Sequence, residues 1–318
     1  MRGLNLIPAG INVSFIPKRM IFFAFSAALI VTSIGLFLSK GLNYGIDFQG
    51  GILIEVRTPQ PADIRDMRGK LGGLQLGEVA LQTFGAPTEV LIRIQRQEGD
   101  EKAQQAAVEK VKAVLDKDIE YRRTEFVGPK VSEELFLDGL LAVGLAISAI
   151  LIYIWFRFEW QFGLGAVIAL THDVLSTIGV FALMGFEFNL STVAAILTIA
   201  GYSINDTVVV YDRVRENLRK YKKMPLVELL NNSVNETLSR TVITSVTTLL
   251  ALLALFFLGG AVIQDFAFAM IWGVIIGTYS SICLAVPLLL YLNVDRAGMM
   301  TGDQGDKGDE EAAAETAP

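Results

Sequence analysis

One stretch decides the fold of this chain: Thr198-Ile199-Ala200-Gly201-Tyr202-Ser203-Ile204-Asn205-Asp206-Thr207-Val208-Val209-Val210-Tyr211-Asp212-Arg213. It lies in an apolar run, residues 190–211, that is long enough to cross a bilayer as a helix, which needs about 20 residues. The pair Asn205 and Asp206 interrupts this run before its end. Because a carboxylate inside a membrane helix costs about 2.5–3.5 kcal/mol on insertion scales, Asp206 is a candidate functional residue.

The composition is that of a membrane protein, since 52% of the residues are hydrophobic and 19% are charged. The single cysteine, Cys283, excludes an intramolecular disulfide, and the single histidine, His172, excludes a histidine metal cluster. No phosphate-binding glycine loop, Ser/His/Asp set or nucleic-acid signature is present. We therefore expect neither an enzyme nor a cofactor, and the remaining energy source is the proton gradient, which supplies about 2.3 kcal/mol per charge per 100 mV.

Apolar runs of suitable length recur along the chain, which predicts an α-helical membrane protein with six transmembrane helices. The first run is too long for a typical cleavable signal peptide and is predicted to be an uncleaved anchor. Basic residues in the N-terminal tail and in segment 212–240, where seven Lys/Arg face four acidic residues, place both termini in the cytoplasm. The predicted spans are residues 20–38, 136–156, 162–184, 190–211, 241–258 and 266–292.

The two ends of the chain are polar and differ in charge. Residues 1–19 form a short basic tail, and residues 293–318 form an acidic tail that is rich in Gly and Ala. From residue 301 onward there are six acidic residues and one lysine, which account for most of the net charge of −6. A segment of this composition cannot bury a core, so we predict that the acidic tail is disordered and cytoplasmic.

Residues 40–134 form the one sizeable polar domain outside the predicted helices. Strand-like alternation begins at Ile52, Ile54 and Val56, and helical spacing follows from Ile64. Two further strands, a second helix and a last strand complete a β-α-β-β-α-β order, which is the ferredoxin-like pattern. The domain follows an outgoing helix, so we expect it on the side of the membrane opposite the cytoplasm, in contact with a peptide or a partner domain.

Polar and small residues lie on one face of several predicted spans, and we expect these faces to meet inside the bundle. Gly201 is predicted to let another helix approach closely, whereas Asp138 and Glu187 are expected to be solvated near the outer boundary. The faces comprise Thr198, Tyr202, Asn205, Val209 and Asp212 in the fourth span, Thr171, His172 and Asp173 in the third, Thr241, Ser245 and Thr248 in the fifth, and Gly273, Gly277 and Ser281 in the sixth.

These residues leave alternatives open. Asp206 is either a carboxyl that loads and releases protons or a hydrated charge near the cytoplasmic interface, and Arg240 is either its cationic partner or a plain interfacial anchor. His172 and Asp173 form either a hydrogen-bonding pair between helices or part of a proton passage.

Three motifs resemble the SecF branch of the SecD/SecF family, within the resistance-nodulation-division superfamily, and the resemblance covers about residues 20–293. The first follows the first span, the second leads into the second span, and the third lies in the fourth span. The residues that carry the resemblance are Gly45, Asp47, Gly50 and Gly51, then Gly128 and Pro129, then Gly201, Asn205, Asp206, Asp212 and Arg213.

The resemblance implies a multi-pass protein of the bacterial inner membrane that works with SecD, alongside the SecYEG translocon and SecA. Such a protein uses the proton-motive force to promote preprotein translocation and release, and its periplasmic domain contacts the emerging preprotein. The family's intramembrane aspartate corresponds to Asp206 and its arginine to Arg240 in Ser239-Arg240-Thr241, with a less defined role for His172 and Asp173. Its helices contact lipid, and no nucleic acid or metal is implied.

Two other functions remain as alternatives. Half of a proton-coupled small-molecule exporter has the same six-helix layout but normally belongs to a chain of twelve helices with larger outer domains. A scaffold that stabilises the translocon without using energy has no need of the intramembrane carboxylate.

Overall fold

The computed structural model describes residues 12–97, 99, 101–115, 118–292 and 294. Within these residues, six helices are long and apolar enough to cross a membrane. They are Ile16–Lys40, Pro129–Arg157, Trp160–Met184, Leu190–Lys220, Leu226–Leu258 and Ile263–Leu288. The chain is thus an α-helical membrane protein, and its predicted acidic tail, residues 293–318, lies outside the described residues except for Val294.

The elements are numbered here in chain order. They are α1 (Arg19–Lys40, after a 3-10 turn at Ile16–Lys18), β1 (Asn43–Tyr44), α2 (Ile46–Gln49), β2 (Gly51–Arg57), α3 (Ile64–Gly72), β3 (Val79–Phe84), β4 (Ala86–Ile94), α4 (Glu101–Val114), β5 (Glu120–Val127), α5 (Pro129–Arg157), α6 (Trp160–Met184), β6 (Glu187–Phe188), α7 (Leu190–Lys220), α8 (Leu226–Leu258), α9 (Ala261–Ser280), a π-helical segment (Ser281–Ala285) and α10 (Val286–Leu288).

The helices extend beyond the apolar spans because hydropathy marks only the part of a helix that suits hydrocarbon. Segment 212–240 is largely helical: α7 continues to Lys220, and α8 begins at Leu226 after Pro225, which serves as its N-cap residue. Asn217 joins the two helical extensions, because its Nδ2 donates to Ser233 Oγ at 3.0 Å. The basic segment is therefore a packed helical hairpin rather than an extended loop.

Helices α6, α7 and α9 form the centre of the bundle, and α1, α5 and α8 lie at its periphery. A side chain at Gly273 would overlap Ile199, and one at Gly277 would lie 3.2 Å from Ser203 Cβ. The predicted small-residue ridge of α9 is therefore confirmed as the surface against which α7 packs, since glycine lets two helices approach closely.

The polar domain contains a four-stranded antiparallel sheet in the order β3-β4-β2-β5. Helices α3 and α4 cover one face of the sheet and close a hydrophobic core with it. Asp63 caps α3 by accepting hydrogen bonds from the backbone N–H groups of Arg65 and Asp66. The buried residues of this core are Ile52, Ile54, Val56, Met67, Leu71, Leu76, Val90, Ile92, Ile94, Ala107, Val111 and Leu115.

The polar domain is attached to the membrane helices through two short strands. Strand β1 pairs in parallel with β6, which lies between α6 and α7. Arg93 forms an ion pair with Glu187 at 3.0 Å and also donates to Asn43 Oδ1 at 2.9 Å. The expectation that Glu187 is solvated was wrong, because this residue is buried and neutralised by the arginine of the polar domain.

The first family motif joins this domain to α7. Asp47 Oδ2 accepts a hydrogen bond from the backbone N–H of Leu190 at 3.0 Å, so a residue of α2 satisfies an N-terminal donor of α7. Gly51 has a φ of +120°, and a Cβ there would lie 2.6 Å from Ile94 O. Only glycine suits both this backbone conformation and this approach of β4.

Candidate functional site

Asp206 lies in α7 and faces the interior of the bundle, where it is 8% exposed. Its Oδ1 accepts a hydrogen bond from Thr241 Oγ1 of α8 at 2.8 Å. Its Oδ2 is buried and has no hydrogen-bond partner within the described residues. The Ser281 hydroxyl lies near the carboxyl but makes its hydrogen bonds to Thr207 and Gly277 O. The carboxyl is therefore only half satisfied, and both hydroxyl groups beside it are neutral.

Arg240 is exposed and forms no salt bridge with Asp206 in the described part of the chain. It is close enough to act on the Asp206 carboxyl by charge, but its neighbour Thr241 makes the direct contact. Successive residues of a helix point about 100° apart, so the side chain that faces α7 is Thr241. The predicted pairing of Asp206 with Arg240 stays a prediction. In the structure, the direct contact between α7 and α8 at this point is the Thr241 hydroxyl group.

Asp173 lies in α6 and is fully buried, with both carboxylate oxygens hydrogen-bonded. Ser203 Oγ of α7 and Ser280 Oγ of α9 donate to Asp173 Oδ2 at 2.5 and 2.7 Å. The His172 ring contributes a third contact, 2.9 Å from Nδ1 to Asp173 Oδ1. Asp173 therefore joins three helices, which favours the hydrogen-bonding interpretation of the His172–Asp173 pair.

A row of hydroxyl groups lies between the two carboxyls. Ser203, Thr207 and Asp206 share one side of α7, and Thr207 Oγ1 lies 2.9 Å from Ser281 Oγ at the start of the π-helical segment. Sequence analysis missed Ser203, Ser280 and Thr207, because a serine or threonine in an apolar helix is usually a packing residue. Their role becomes visible only once α6, α7 and α9 are seen to meet at Asp173.

Only part of the predicted polar stripe of α7 contacts the rest of the bundle: Tyr202 donates to Ser245 of α8 at 3.2 Å. Thr198, Gly201 and Asn205 are exposed, and among the described residues no atom from outside this turn of α7 lies within 4 Å of a Cβ placed on Gly201. Asn205 and Asp206 are adjacent on the helix, so burying Asp206 turns Asn205 outward. The described residues leave this face of α7 unoccupied, so the expectation that Gly201 lets another helix approach closely stays a prediction.

The last signature residues form ion pairs at the end of α7. Asp212 accepts two hydrogen bonds from Arg157 Nη2, at 2.9 and 3.0 Å, and so ties α7 to the end of α5. Arg213 pairs with Glu216 at 2.9 Å and lies 3.6 Å from Glu236 of α8. At the other end of α5, Gly128 is the N-cap residue and Pro129 starts the helix.

Comparison with known proteins bears on these motifs. Residues 35–62 match the SecD/SecF GG motif family, and residues 107–295 match the family described as protein export membrane protein SecD/SecF, C-terminal. The chain is 49% identical to the protein translocase subunit SecF of Cereibacter sphaeroides, over 93% of this chain and 94% of that protein. The chain belongs to the SecF family. It is also 47% identical to SecF of Rickettsia felis over 90% of its own length.

Solved structures extend this SecF assignment to the fold. The crystal structure of SecDF from Thermus thermophilus, a translocon-associated membrane protein, matches with a TM-score of 0.83 and 37% identity over 90% of this chain. SecDF in its super-membrane-facing form matches with a TM-score of 0.63 and 34% identity over 97% of this chain. The SecF chain spans 39% and 41% of those two chains.

Proposed function

We propose that this SecF-family chain works with a SecD partner in the bacterial inner membrane, where it uses the proton-motive force to promote preprotein translocation and release. The observation that carries the proposal is the Asp206 carboxyl. It is buried in a membrane helix, is held by one neutral hydroxyl, and leaves its Oδ2 without a partner. A carboxyl in this setting is suited to exchange a proton, because neither a bound cation nor a full set of donors fixes its charge.

The contact that changes with protonation is the one between α7 and α8. An ionised Asp206 accepts the Thr241 hydroxyl hydrogen bond, whereas a protonated Asp206 gains a donor of its own. Further along α8, Ser245 lies 2.7 Å from Thr278 of α9 and accepts from Tyr202 at 3.2 Å. Protonation of Asp206 thus acts at one end of a row of polar contacts between α7, α8 and α9. In our proposal, Arg240 supplies the nearby positive charge.

Helix α7 also leads to the polar domain, which we infer to be periplasmic. In the first turn of α7, the backbone N–H of Leu190 donates a hydrogen bond to Asp47. Asp47 lies in α2, the short helix directly before strand β2 of that domain. A shift of α7 against α8 therefore moves Asp47 through this hydrogen bond, and with it the connection from α2 to the sheet. The strand order β3-β4-β2-β5 supports a ferredoxin-like domain, and we propose that this domain contacts the emerging preprotein.

The exposed face of α7 supports a partner chain rather than a free subunit. Thr198 and Asn205 are polar groups in the middle of a membrane helix, and Gly201 lies between them with open space around it. Polar and small residues of this kind are typical of helix–helix interfaces in membranes. We propose that SecD covers this face, and that SecYEG and SecA are reached through the resulting complex.

Photo-crosslinking tests this interface. A photoreactive residue at position 205, in a full chain coexpressed with SecD, is expected to give a covalent SecD adduct. The matched control carries the same residue at Leu145, which is exposed on α5 away from this face, and is expected to give lipid adducts only. If both positions crosslink to SecD equally, or if position 205 yields only a dimer of this chain, the proposed interface is wrong.

The two alternative functions make different predictions. A small-molecule exporter half would copurify with itself or with no Sec component, whereas our proposal requires SecD. A scaffold that uses no energy would tolerate substitution of Asp206 and Arg240 and would fail only when the polar domain is deleted. The half-satisfied carboxyl of Asp206 favours the energised function, because a scaffold gains nothing from that arrangement.

A further inference from the structure

A groove of about 700 Å³ opens between the end of α5 and the last turns of α7. It lies at the end of the bundle opposite the polar domain, and neither Asp173 nor Asp206 lines it. The groove is lined by Arg157, Asp212, Arg215, Glu216, Arg219 and Lys220. Four cations against two carboxylates make it a basic concavity.

The two carboxylates of the groove are already engaged. Asp212 accepts both of its hydrogen bonds from Arg157, and Glu216 is paired with Arg213, which does not line the groove. Arg219 and Lys220 form no salt bridge within the described part of the chain, and both are exposed. The acidic residues of the groove therefore neutralise only part of its positive charge.

Arg215 lies deepest in the groove and is the least exposed of these cations. Its side chain is 20% exposed, its Nη1 donates to Arg157 O at 3.4 Å, and its buried Nε has no hydrogen-bond partner in the described residues. The carboxylates that act on it by charge are Glu159 and Asp212, the latter at 4.0 Å. Arg157 and Arg215 both lie over the Phe158 ring, 5.1 and 5.5 Å from its centroid. Asp212, 2.9 Å from Arg157 and 4.0 Å from Arg215, is the groove-lining carboxylate that both guanidinium groups share, and its single charge balances only one of them.

The location of the groove identifies the anion. Trp155 and Trp160, at the adjoining ends of α5 and α6, are 76% and 59% exposed. Exposed tryptophans next to basic residues mark the level of the lipid headgroups in a membrane protein. Basic pockets between transmembrane helices at this level bind the phosphate groups of anionic lipids. We propose that this groove is a binding site for the headgroup of an anionic glycerophospholipid such as phosphatidylglycerol.

A bound headgroup would also hold α5 in place. Only Ser132, Gly139 and Ile154 of this helix are buried, so its packing against the bundle is slight. Arg157 comes from α5 and the other three cations from α7, so a phosphate between them bridges the two helices. The site thus gives α5 an attachment that depends on the lipid composition of the membrane.

Native mass spectrometry of the purified full-length chain tests this site. The probes are phosphatidylglycerol and phosphatidylcholine with the same acyl chains, titrated onto delipidated protein. We expect phosphatidylglycerol to bind more tightly, and Arg219→Gln/Lys220→Gln to weaken its binding about tenfold or more. Both side chains are exposed, so this variant keeps the fold. The control, Lys222→Gln/Lys223→Gln, removes the same charge from the exposed turn after α7 and should change the affinity less than threefold or so.

Three outcomes overturn the proposal. If both variants lose the same affinity, the lipid responds to overall surface charge and the groove is not a site. If neither variant loses affinity, the cations of the groove do not hold the lipid. If excess inorganic phosphate displaces the lipid as completely as unlabelled phosphatidylglycerol does, the groove binds free anions rather than lipid headgroups. Retention of the lipid in phosphate, together with selective loss in the groove variant, supports the site.

Discussion

Asp206→Asn is expected to reduce preprotein export to the level seen without a proton gradient. Asparagine keeps the size of the side chain, and its Oδ1 can still accept the Thr241 hydroxyl hydrogen bond, so the α7–α8 contact persists. The substitution removes the carboxyl group that can gain or lose a proton. The measurement is translocation of a preprotein into inverted membrane vesicles that contain the variant and SecD, with and without an imposed gradient.

Glu216→Gln is the matched control for this variant. It makes the same amide substitution ten residues further along α7, at an exposed carboxylate that pairs only with Arg213 at the surface. Surface ion pairs contribute about 0–1 kcal/mol, so we expect both stability and export to be unchanged. Gradient-dependent export that persists in Asp206→Asn at normal protein levels would show that Asp206 is not the proton carrier.

Asp173→Ala is expected to cause the largest loss of stability of any single substitution in the bundle. The change removes the common acceptor of Ser203, Ser280 and the His172 ring, which come from α7, α9 and α6. Interhelical hydrogen bonds in membranes average about 0.6 kcal/mol, and unsatisfied buried groups cost about 1–3 kcal/mol each. Because Ser280 can turn to Gly277 O, we expect a total loss of about 2–4 kcal/mol in the free energy of unfolding in detergent.

Two comparisons separate a structural role of Asp173 from a role in proton passage. Asp212→Ala removes an exposed carboxylate by the same substitution and should lower stability by less than about 1 kcal/mol. Asp173→Asn keeps a side-chain acceptor for the serine hydroxyls and should retain gradient-dependent export. A stable Asp173→Asn protein that has lost gradient-dependent export would instead assign proton transfer to Asp173.

Much of the fold follows from hydropathy and motif spacing. Asp206 could be singled out from the sequence because a carboxylate is rare in an apolar helix, and the α9 ridge because Gly273 and Gly277 recur at helical spacing. The orientation of α7 could not be predicted in this way. A stripe of polar residues, Thr198 to Asp212, suggested an inward face, yet the helix turns Ser203, Asp206 and Thr207 inward and Asn205 outward.

The reason is that residue type alone does not say which polar face of a membrane helix is covered by the same chain and which by a partner. Both faces of α7 carry small or polar groups, and packing against the glycines of α9 decides between them. Asp206 contacts Thr241 rather than Arg240 for the same reason. These two residues are adjacent in α8, so a small rotation of α8 about its axis decides which of them faces α7. Such rotations are set by tertiary contacts that sequence spacing does not specify.

Infrared difference spectroscopy of the complex with SecD tests the central claim most directly. The complex is reconstituted into vesicles, and the carbonyl stretching band of protonated carboxyl groups is recorded as the pH is stepped. Because other carboxyl groups of the complex also titrate, the spectra of the native protein and Asp206→Asn are subtracted. We predict a component that rises and falls reversibly with pH in the native protein and is missing from the variant. Identical pH-dependent bands in the two proteins would contradict the assignment of proton exchange to Asp206.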